Sequence, residues 1–280
     1  MVTAIILAGT RPGRDPVAAD ENVSCKALVN IGGITMLERV IDALAAAGIE
    51  RIVVVCDEGP VTQIATERGA TTLAPGLGPS DSAFRALHLL GAPLLITTAD
   101  HALLKPEWIR QFLADAPISA DVVTMLAPRE KVEASIPGSR RTWLRFSDGH
   151  WSGCNLFLLR TEKANRALQL WKQVEQDRKH PWRIARKIGP VTLARYLLGK
   201  LSTSEAFASL GRMAGFEVGV VAAADGLAAL DVDTVADLHR VRAIVEGCSP
   251  KDSTCMIADA GRVLEPALAP SGIAPGRPAG

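Results

Sequence analysis

Residues 3–33 read TAIILAGTRPGRDPVAADENVSCKALVNIGG. The run Ala4-Ile5-Ile6-Leu7 has the continuous apolar character of a buried strand. It breaks directly into a loop holding Gly9, Thr10, Arg11, Pro12, Gly13 and Arg14. After a polar excursion the chain passes through Lys26 to a Gly32-Gly33 turn and an amphipathic helix. Glycines in such a loop let backbone N–H groups approach an anion closely, and fixed cations balance its charge. The expectation is a loop that grips the triphosphate of a nucleotide. A surface turn with solvated arginines is the competing reading. Neither G-x-x-x-x-G-K-[ST] nor G-x-G-x-x-G fits, which argues against ATPase-type and NAD-type loops.

Working outward, short apolar runs alternate with helical periodicity. Thr35–Ala47 carries Met36, Leu37, Val40, Ile41 and Leu44 at helical spacing and stops at Gly48. Buried strands are expected at Arg51–Cys56, Ala70–Leu73 and Pro93–Thr98, with helices at Val61–Arg68 and Ala83–Leu90. Residues Gly76–Ser82 read as a loop. The second half is more mixed: a helix at Glu107–Leu113, a strand at Asp121–Leu126, and strands Thr142–Phe146 and Ser152–Leu159 around Asp148-Gly149. Helix follows from Thr161 to about Lys179 and over Ile184–Ala214, then a strand at Phe216–Ala222 and a helix at Thr234–Val245. This alternation predicts an α/β, Rossmann-like three-layer fold with a mostly parallel central sheet and a helical insert in the second half.

The domain is expected to span residues 1–246, with a basic helical insert at about 161–214. The Pro/Gly/Ala-rich residues 247–280 lack the apolar pattern that offsets ordering entropy and read as a disordered tail. The composition of the 280-residue chain, 48% hydrophobic with a net charge of +1 and 4% aromatic residues, gives no footprint for a nonspecific nucleic-acid binder. No apolar run reaches the ~18–20 residues of a membrane span. No export signal is visible at the N-terminus. Cys25, Cys56, Cys154, Cys248 and Cys255 form no CxxC pair and read as reduced thiols of a cytoplasmic protein.

In open parallel sheets, ligands bind beyond the carboxyl ends of the strands. The segments after Leu7, Leu73 and Thr98 should therefore meet in one crevice. They supply Arg11 and Arg14, the Gly76–Ser82 loop, and Asp100. Guanidinium forks and an ammonium suit phosphate oxygens, and nucleotidyl transfer needs cations because charge shifts onto the leaving pyrophosphate. Asp100 after a buried strand suits Mg2+, which needs only one or two protein carboxylates, or it caps the following helix. His101 beside it could touch the ligand or is simply a loop residue. In Asp231-Val232-Asp233-Thr234, an extended backbone would point both carboxylates one way, although Asp233 or Thr234 also makes a good N-cap. Asn155, in Trp151-Ser152-Gly153-Cys154-Asn155, offers an amide to a polar acceptor or satisfies its own hairpin. Between Arg166 and Lys200 lie nine lysines and arginines against two acids, with Trp171, Trp182 and Tyr196 among them. That basic region could rest on an anionic membrane or hold a phosphorylated acceptor, or it is a solvated face or an oligomer contact.

Together these segments resemble the nucleotidyltransferase superfamily of molybdenum-cofactor guanylyltransferase-like (MobA-like) proteins and sugar-nucleotide pyrophosphorylases. Leu7-Ala8-Gly9-Thr10-Arg11-Pro12-Gly13-Arg14 resembles the opening L-A-(G/A)-G-x-x-x-R, with Arg14 at the family arginine and Lys26 as its lysine. Thr97-Thr98-Ala99-Asp100 matches the strand-ending metal aspartate. Asp231-Val232-Asp233-Thr234-Val235-Ala236-Asp237-Leu238 matches D-(I/V)-D-T-x-x-D-L. The resemblance covers roughly residues 3–245. Thr10 stands where the family has glycine, Ala102 where it has proline, and the Arg14-to-Lys26 interval is long.

The resemblance implies a GT-A-like, Mg2+-dependent nucleotidyltransferase that joins an NTP to a phosphorylated acceptor and releases pyrophosphate. Arg14 and Lys26, assisted by Arg11, would be catalytic. Leu7, Ala8, Gly9, Thr10, Gly13, Gly76, Gly78, Ser80 and Ser82 would hold the nucleotide. Asp100 and Asp233, with Asp231, would hold the metal, and Gly153 and Asn155 would face the acceptor. A glycosyltransferase using a nucleotide-sugar and a non-catalytic nucleotide-binding regulator are the alternatives.

Overall fold

The computed structural model describes residues 1–10, 13, 15–138, 141–177 and 190–247. Arg11 and Arg14 of the first loop, the basic segment 178–189 and the expected tail beyond residue 247 lie outside the described residues. The main sheet contains β1 (Thr3–Leu7), β4 (Arg51–Val55), β5 (Thr71–Leu73), β6 (Leu94–Thr98), β7 (Val122–Pro128), β8 (Leu144–Phe146), β9 (Gly149–Leu159) and β10 (Val218–Ala222). Its order is β10-β7-β9-β6-β1-β4-β5, with β8 paired to β9. The pairs β1–β4, β1–β6, β4–β5 and β7–β10 are parallel, whereas β9 runs antiparallel to β6, β7 and β8. A small hairpin joins β2 (Asn30–Ile31) to β3 (Ile34–Thr35) through Gly32 (φ 63°) and Gly33 (φ 94°). Two successive positive φ values are the geometry of a tight hairpin turn, which glycine adopts without steric cost.

Period-two alternation divides the strand side chains between two buried layers. On one face Ala4, Ile6, Ile52, Val54 and Leu95 pack with the apolar stripes of α2 (Met36–Ala46), α3 (Pro60–Glu67) and α5 (Pro106–Asp115). On the other, Ile5, Val53, Val55, Leu94 and Ile96 pack with α4 (Pro79–Leu90) and α7 (Ala164–Asp177). Helix α2 forms where its pattern predicts, and Thr35 and Glu38 close a capping box at its start. The remaining helices are α1 (Pro16–Asp20), α6 (Arg129–Ser135), α8 (Pro190–Leu197), α9 (Thr203–Ala214) and α10 (Val235–Val245).

Three differences from the sequence reading have physical causes. Helix α4 begins at Pro79, so Ser80, Asp81 and Ser82 sit in its first turn rather than in a loop. Proline at the first helical position costs no hydrogen bond and presets φ. Helix α7 packs on the sheet, with Ala164 and Leu168 buried in the second core and Trp171 6.2 Å from Phe157. Helix α6 buries only Val132 and therefore leaves little periodic signal. Strand β9 starts at Gly149, three residues earlier than the apolar run suggests, because β8 pairs with that segment.

One contact fixes the carboxyl edge of the sheet. The 3-10 turn Gly226–Ala229 packs on α6, and a Cβ on Gly226 would overlap the Lys131 carbonyl and lie 2.6 Å from Val132 Cα. Backbone cannot yield as a flexible side chain does, so Gly226→Ala should cost about 1–3 kcal/mol, the usual range for overpacking. Chemical denaturation reads this as a lower midpoint with an unchanged slope.

Candidate active site

The register aligns the carboxyl ends of the parallel strands: Leu7 stands beside Thr98 and Val55, and Val55 beside Leu73. Backbone bonds carry the ladder one residue further, from Ala8 N–H to Val55, Ala99 N–H to Leu7 and Cys56 N–H to Leu73. The segments leaving these strands therefore start from one edge. Val232 N–H donates to the Asp100 carbonyl (3.0 Å), which brings the distant Asp231–Asp233 segment to the end of β6.

Lys26 lies at the centre of this edge. Its Nζ donates to Asp100 Oδ2 at 2.8 Å and to Asp233 Oδ1 at 3.3 Å. The long interval before Lys26 is filled by α1, whose N-cap Asp15 accepts hydrogen bonds from Val17 and Ala18 N–H. Arg242 of α10 forks onto Glu21, just after α1, at 2.6 and 2.7 Å. Such bidentate pairs fix geometry as well as charge. On its other side Asp100 accepts from the Thr98 hydroxyl. Burial works against the Lys26 ammonium, but Asp100, then Asp233 and Asp15, hold its pKa above the usual lysine value. Burial, the Asp231 charge and the Asp100 charge push the Asp233 carboxyl up, and Lys26 opposes them.

The first loop has an anchor that the sequence did not reveal. Thr10, at the position where the family has glycine, donates its hydroxyl (2.6 Å) and its N–H (3.3 Å) to Asp57, two residues after β4. These bonds hold the Asp57 carboxyl below the usual aspartate range. A depressed carboxyl pKa adds stability above the unfolded value, and that stability is lost as pH falls through the folded value. Asp57→Ala should therefore be less stable than the wild type near neutrality, and the two should converge as pH drops well below 3.8. Thermal melts across acid pH check this.

The Gly76–Ser82 segment is bound to the chain itself. Ser82 Oγ accepts from Gly76 N–H (2.9 Å), and Asp81 accepts from Leu77 N–H (3.1 Å) and from Lys172 Nζ (2.6 Å). Ser80, only 2% exposed, donates its hydroxyl to Glu175 at 2.5 Å. The Ser80 and Ser82 hydroxyls are thus engaged within the protein, while Leu77 is 97% exposed. Gly9 and Thr10 are exposed, Leu7 is half-buried and Ala8 is buried.

Val232 is fully buried between Asp231 and Asp233, and the two carboxylates serve different partners. Asp233 meets Lys26, whereas Asp231 receives Arg141 Nη2 and Asn155 Nδ2, each at 2.8 Å. Gly153 is exposed on β9 opposite Leu126. His101 is 1% exposed with neither ring nitrogen hydrogen-bonded among the described residues, and it stacks on Trp108 at 6.2 Å. Burial pushes its pKa down to about 4, so the ring is neutral. Arg141, Asp57 and Glu175 were missed by sequence reasoning. Asp57, a carboxylate just past a buried strand, carried the same signal as Asp100; the other two carried none.

Among the described residues no group of three or more His, Cys, Asp or Glu side chains forms a metal cage. Asp100 and Asp233 nevertheless converge on one cation, the Lys26 ammonium, and offer the hard oxygens that Mg2+ prefers when phosphates and water complete its shell. No helix among the described residues is long and apolar enough to cross a membrane.

A mostly parallel Rossmann-like sheet with lysine and aspartates at its carboxyl edge defines the class of nucleotidyltransferase-like folds. Residues 4–201 match the MobA-like NTP transferase domain, and the chain belongs to that family. It is similar to a hypothetical transferase from Thermus thermophilus, with 34% identity, a TM-score of 0.73, and coverage of 84% of this chain and 98% of that one. A nucleotidyl transferase from Methanothermobacter shares the fold at 17% identity and TM-score 0.53, covering 88% and 98% of the two chains. So does a CMP:2-keto-3-deoxy-manno-octonic acid synthetase complexed with CTP, at 19% identity and TM-score 0.54 with the same coverage. No curated protein is significantly similar in sequence.

Proposed function

We propose that this protein is a Mg2+-dependent nucleotidyltransferase that joins an NTP to a phosphorylated small molecule and releases pyrophosphate. The observation that carries the reading is Lys26, held between Asp100 and Asp233 at the carboxyl edge of the sheet beside the first loop. Family membership and the fold shared with a CTP-bound synthetase support it. Asp100 and Asp233 are the residues that would hold Mg2+, which when bound supplies Lewis-acid stabilisation of phosphate charge. Lys26 lies where an ammonium can neutralise charge developing on the α-phosphate and the leaving group. Arg14, assisted by Arg11, is assigned the rest of that task by its place in the motif. Thr10 steadies the start of the loop through Asp57, which accepts both its hydroxyl and its N–H.

An acceptor phosphate is already anionic and can attack in line without a strong general base. Neutral, buried His101 suits that scheme, since it does not reach solvent. Within the basic region, Lys172 pairs with Asp81, Arg195 pairs with Glu205, and Arg166 donates to the Gly215 carbonyl. These ties favour a structural role over membrane contact for those three cations.

The test is a thermal shift against the four NTPs with Mg2+, followed by pyrophosphate detection over a panel of sugar and alcohol phosphates. One NTP should stabilise the protein only with Mg2+, and pyrophosphate should appear with at least one acceptor. Consumption of a nucleotide-sugar without pyrophosphate would instead identify a glycosyltransferase. Affinity without turnover, indifferent to Asp100→Asn, would identify a regulator.

A further inference from the structure

The pairing of Asp231 with Arg141 and Asn155 lies outside the Lys26 centre, and three observations give it a purpose. First, the β7–β9 register shifts between Thr124 and Leu126: Thr124 faces Phe157 and Leu126 faces Gly153. Three residues of β9, Cys154 to Leu156, thus stand against Met125 alone. Asn155 sits in the middle of this bulge with φ 47°, a conformation L-residues seldom adopt. Bulges of this kind re-aim a side chain, and they recur beside functional sites. Here the re-aimed group is the Asn155 amide.

Second, both oxygens of Asp231 are occupied, Oδ1 by Arg141 Nη2 and Oδ2 by Asn155 Nδ2. The carboxylate therefore holds two polar side chains from separate segments in a fixed relation. Third, the guanidinium spends one nitrogen on this bond, and its other nitrogens have no hydrogen-bond partner among the described residues. Side-chain exposure is 12% for Arg141 and 19% for Asp231, so the pair is sheltered from bulk water without being sealed off. An ion pair serving stability alone would be expected to spend the guanidinium fork on both carboxylate oxygens. This carboxylate instead gives one oxygen to an amide and leaves the fork partly open.

We infer that Arg141 and Asn155 form the subsite for the phosphate of the acceptor, with Asp231 as their positioning residue. This rests on the nucleotidyl-transfer reading and deepens it. Asp231 and Asp233 flank the buried Val232 and the Asp231 charge is felt at Asp233, so the subsite adjoins the Lys26 centre. An acceptor phosphate held there would stand next to the nucleotide it attacks. Asp231 then orients donors, while Asp100 and Asp233 are left for the metal. Around this edge Lys26 and Arg141 face Asp100, Asp231 and Asp233, so fixed carboxylates outnumber these cations. Phosphate affinity should accordingly rise when a divalent cation is present.

The experiment uses the full chain, with inorganic phosphate and glycerol 3-phosphate as probes in calorimetric titration and thermal shift. Each is run alone, with Mg2+, and with Mg2+ plus an α,β-methylene NTP. Wild type should bind the probes saturably, more tightly with Mg2+. Arg141→Gln should weaken binding by about tenfold or more, the scale of one charge-assisted hydrogen bond. Arg141→Lys, which keeps the charge but not the fork, should weaken it several-fold, as should Asn155→Ala. Lys26→Met removes a neighbouring cation but leaves the fork intact, so it should weaken probe binding less than Arg141→Gln does while losing the NTP response.

If Arg141→Gln does not fold, Arg141→Lys and Asn155→Ala decide the question. The inference is overturned if wild type binds neither probe saturably, if the folded Arg141 and Asn155 variants bind like wild type, or if Lys26→Met abolishes binding that they keep. The NTP arm is scored separately. Arg141-dependent phosphate binding without any NTP response would sink the transferase reading and leave the anion site standing; the reverse pattern would sink the anion site alone.

Discussion

Asp100→Ala should reduce Mg2+-dependent turnover by about two to three orders of magnitude, the scale seen when one preorganised electrostatic group is removed from a reacting centre. The side chain does three things at once. It accepts from Lys26 Nζ at 2.8 Å, accepts from the Thr98 hydroxyl, and faces the same space as Asp233. The fold should survive, because it is the backbone carbonyl of residue 100, not the carboxylate, that holds Val232 N–H. Lys26, whose side chain is 20% exposed, would keep only the longer Asp233 contact, at a cost of about 1–3 kcal/mol. Asp100→Asn keeps the shape and separates charge from packing. Steady-state pyrophosphate release measures the first effect and chemical denaturation the second. Full turnover in Asp100→Ala would remove this carboxylate from the site.

Lys26→Met should be nearly as damaging, with turnover falling about a hundred- to a thousandfold. Methionine fills similar space, so the loss reports charge rather than volume. Without the ammonium, Asp233 keeps the Asp231 and Asp100 charges that push its carboxyl up and loses the cation that opposes them, so like charge crowds the edge. A divalent cation relieves such crowding. The variant's melting temperature should therefore rise more on adding Mg2+ than that of the wild type. Equal Mg2+ responses in the two proteins would show that Lys26 and the metal do not share these carboxylates.

Much of the architecture was legible because it rests on local pattern. Ala4–Leu7, Arg51–Cys56 and Pro93–Thr98 are near-continuous apolar runs, as strands covered on both faces must be. Thr35 through Ala47 carried a helical stripe, a capping threonine and a stopping glycine. Asp100 could be singled out because it follows a buried strand in a fold whose carboxyl edge binds ligands. Asp231 and Asp233 could be paired because alternation is a property of any extended segment.

Other features depend on partners far apart in sequence. Nothing near Arg141 indicates that it meets Asp231, ninety residues on. Nothing near Ser80 indicates that Glu175 takes its hydroxyl, or that Thr10 finds Asp57. The sequence by itself determined most of the strands and helices, and which residue types stand at strand ends, because burial and periodicity act over a few neighbouring residues. Only the tertiary structure decided which partner each aspartate receives: Asp100 and Asp233 share Lys26, and Asp231 takes Arg141 and Asn155. That division follows from the Val232–Asp100 backbone bond and the β9 bulge. Both are long-range alignments, fixed when the whole sheet packs.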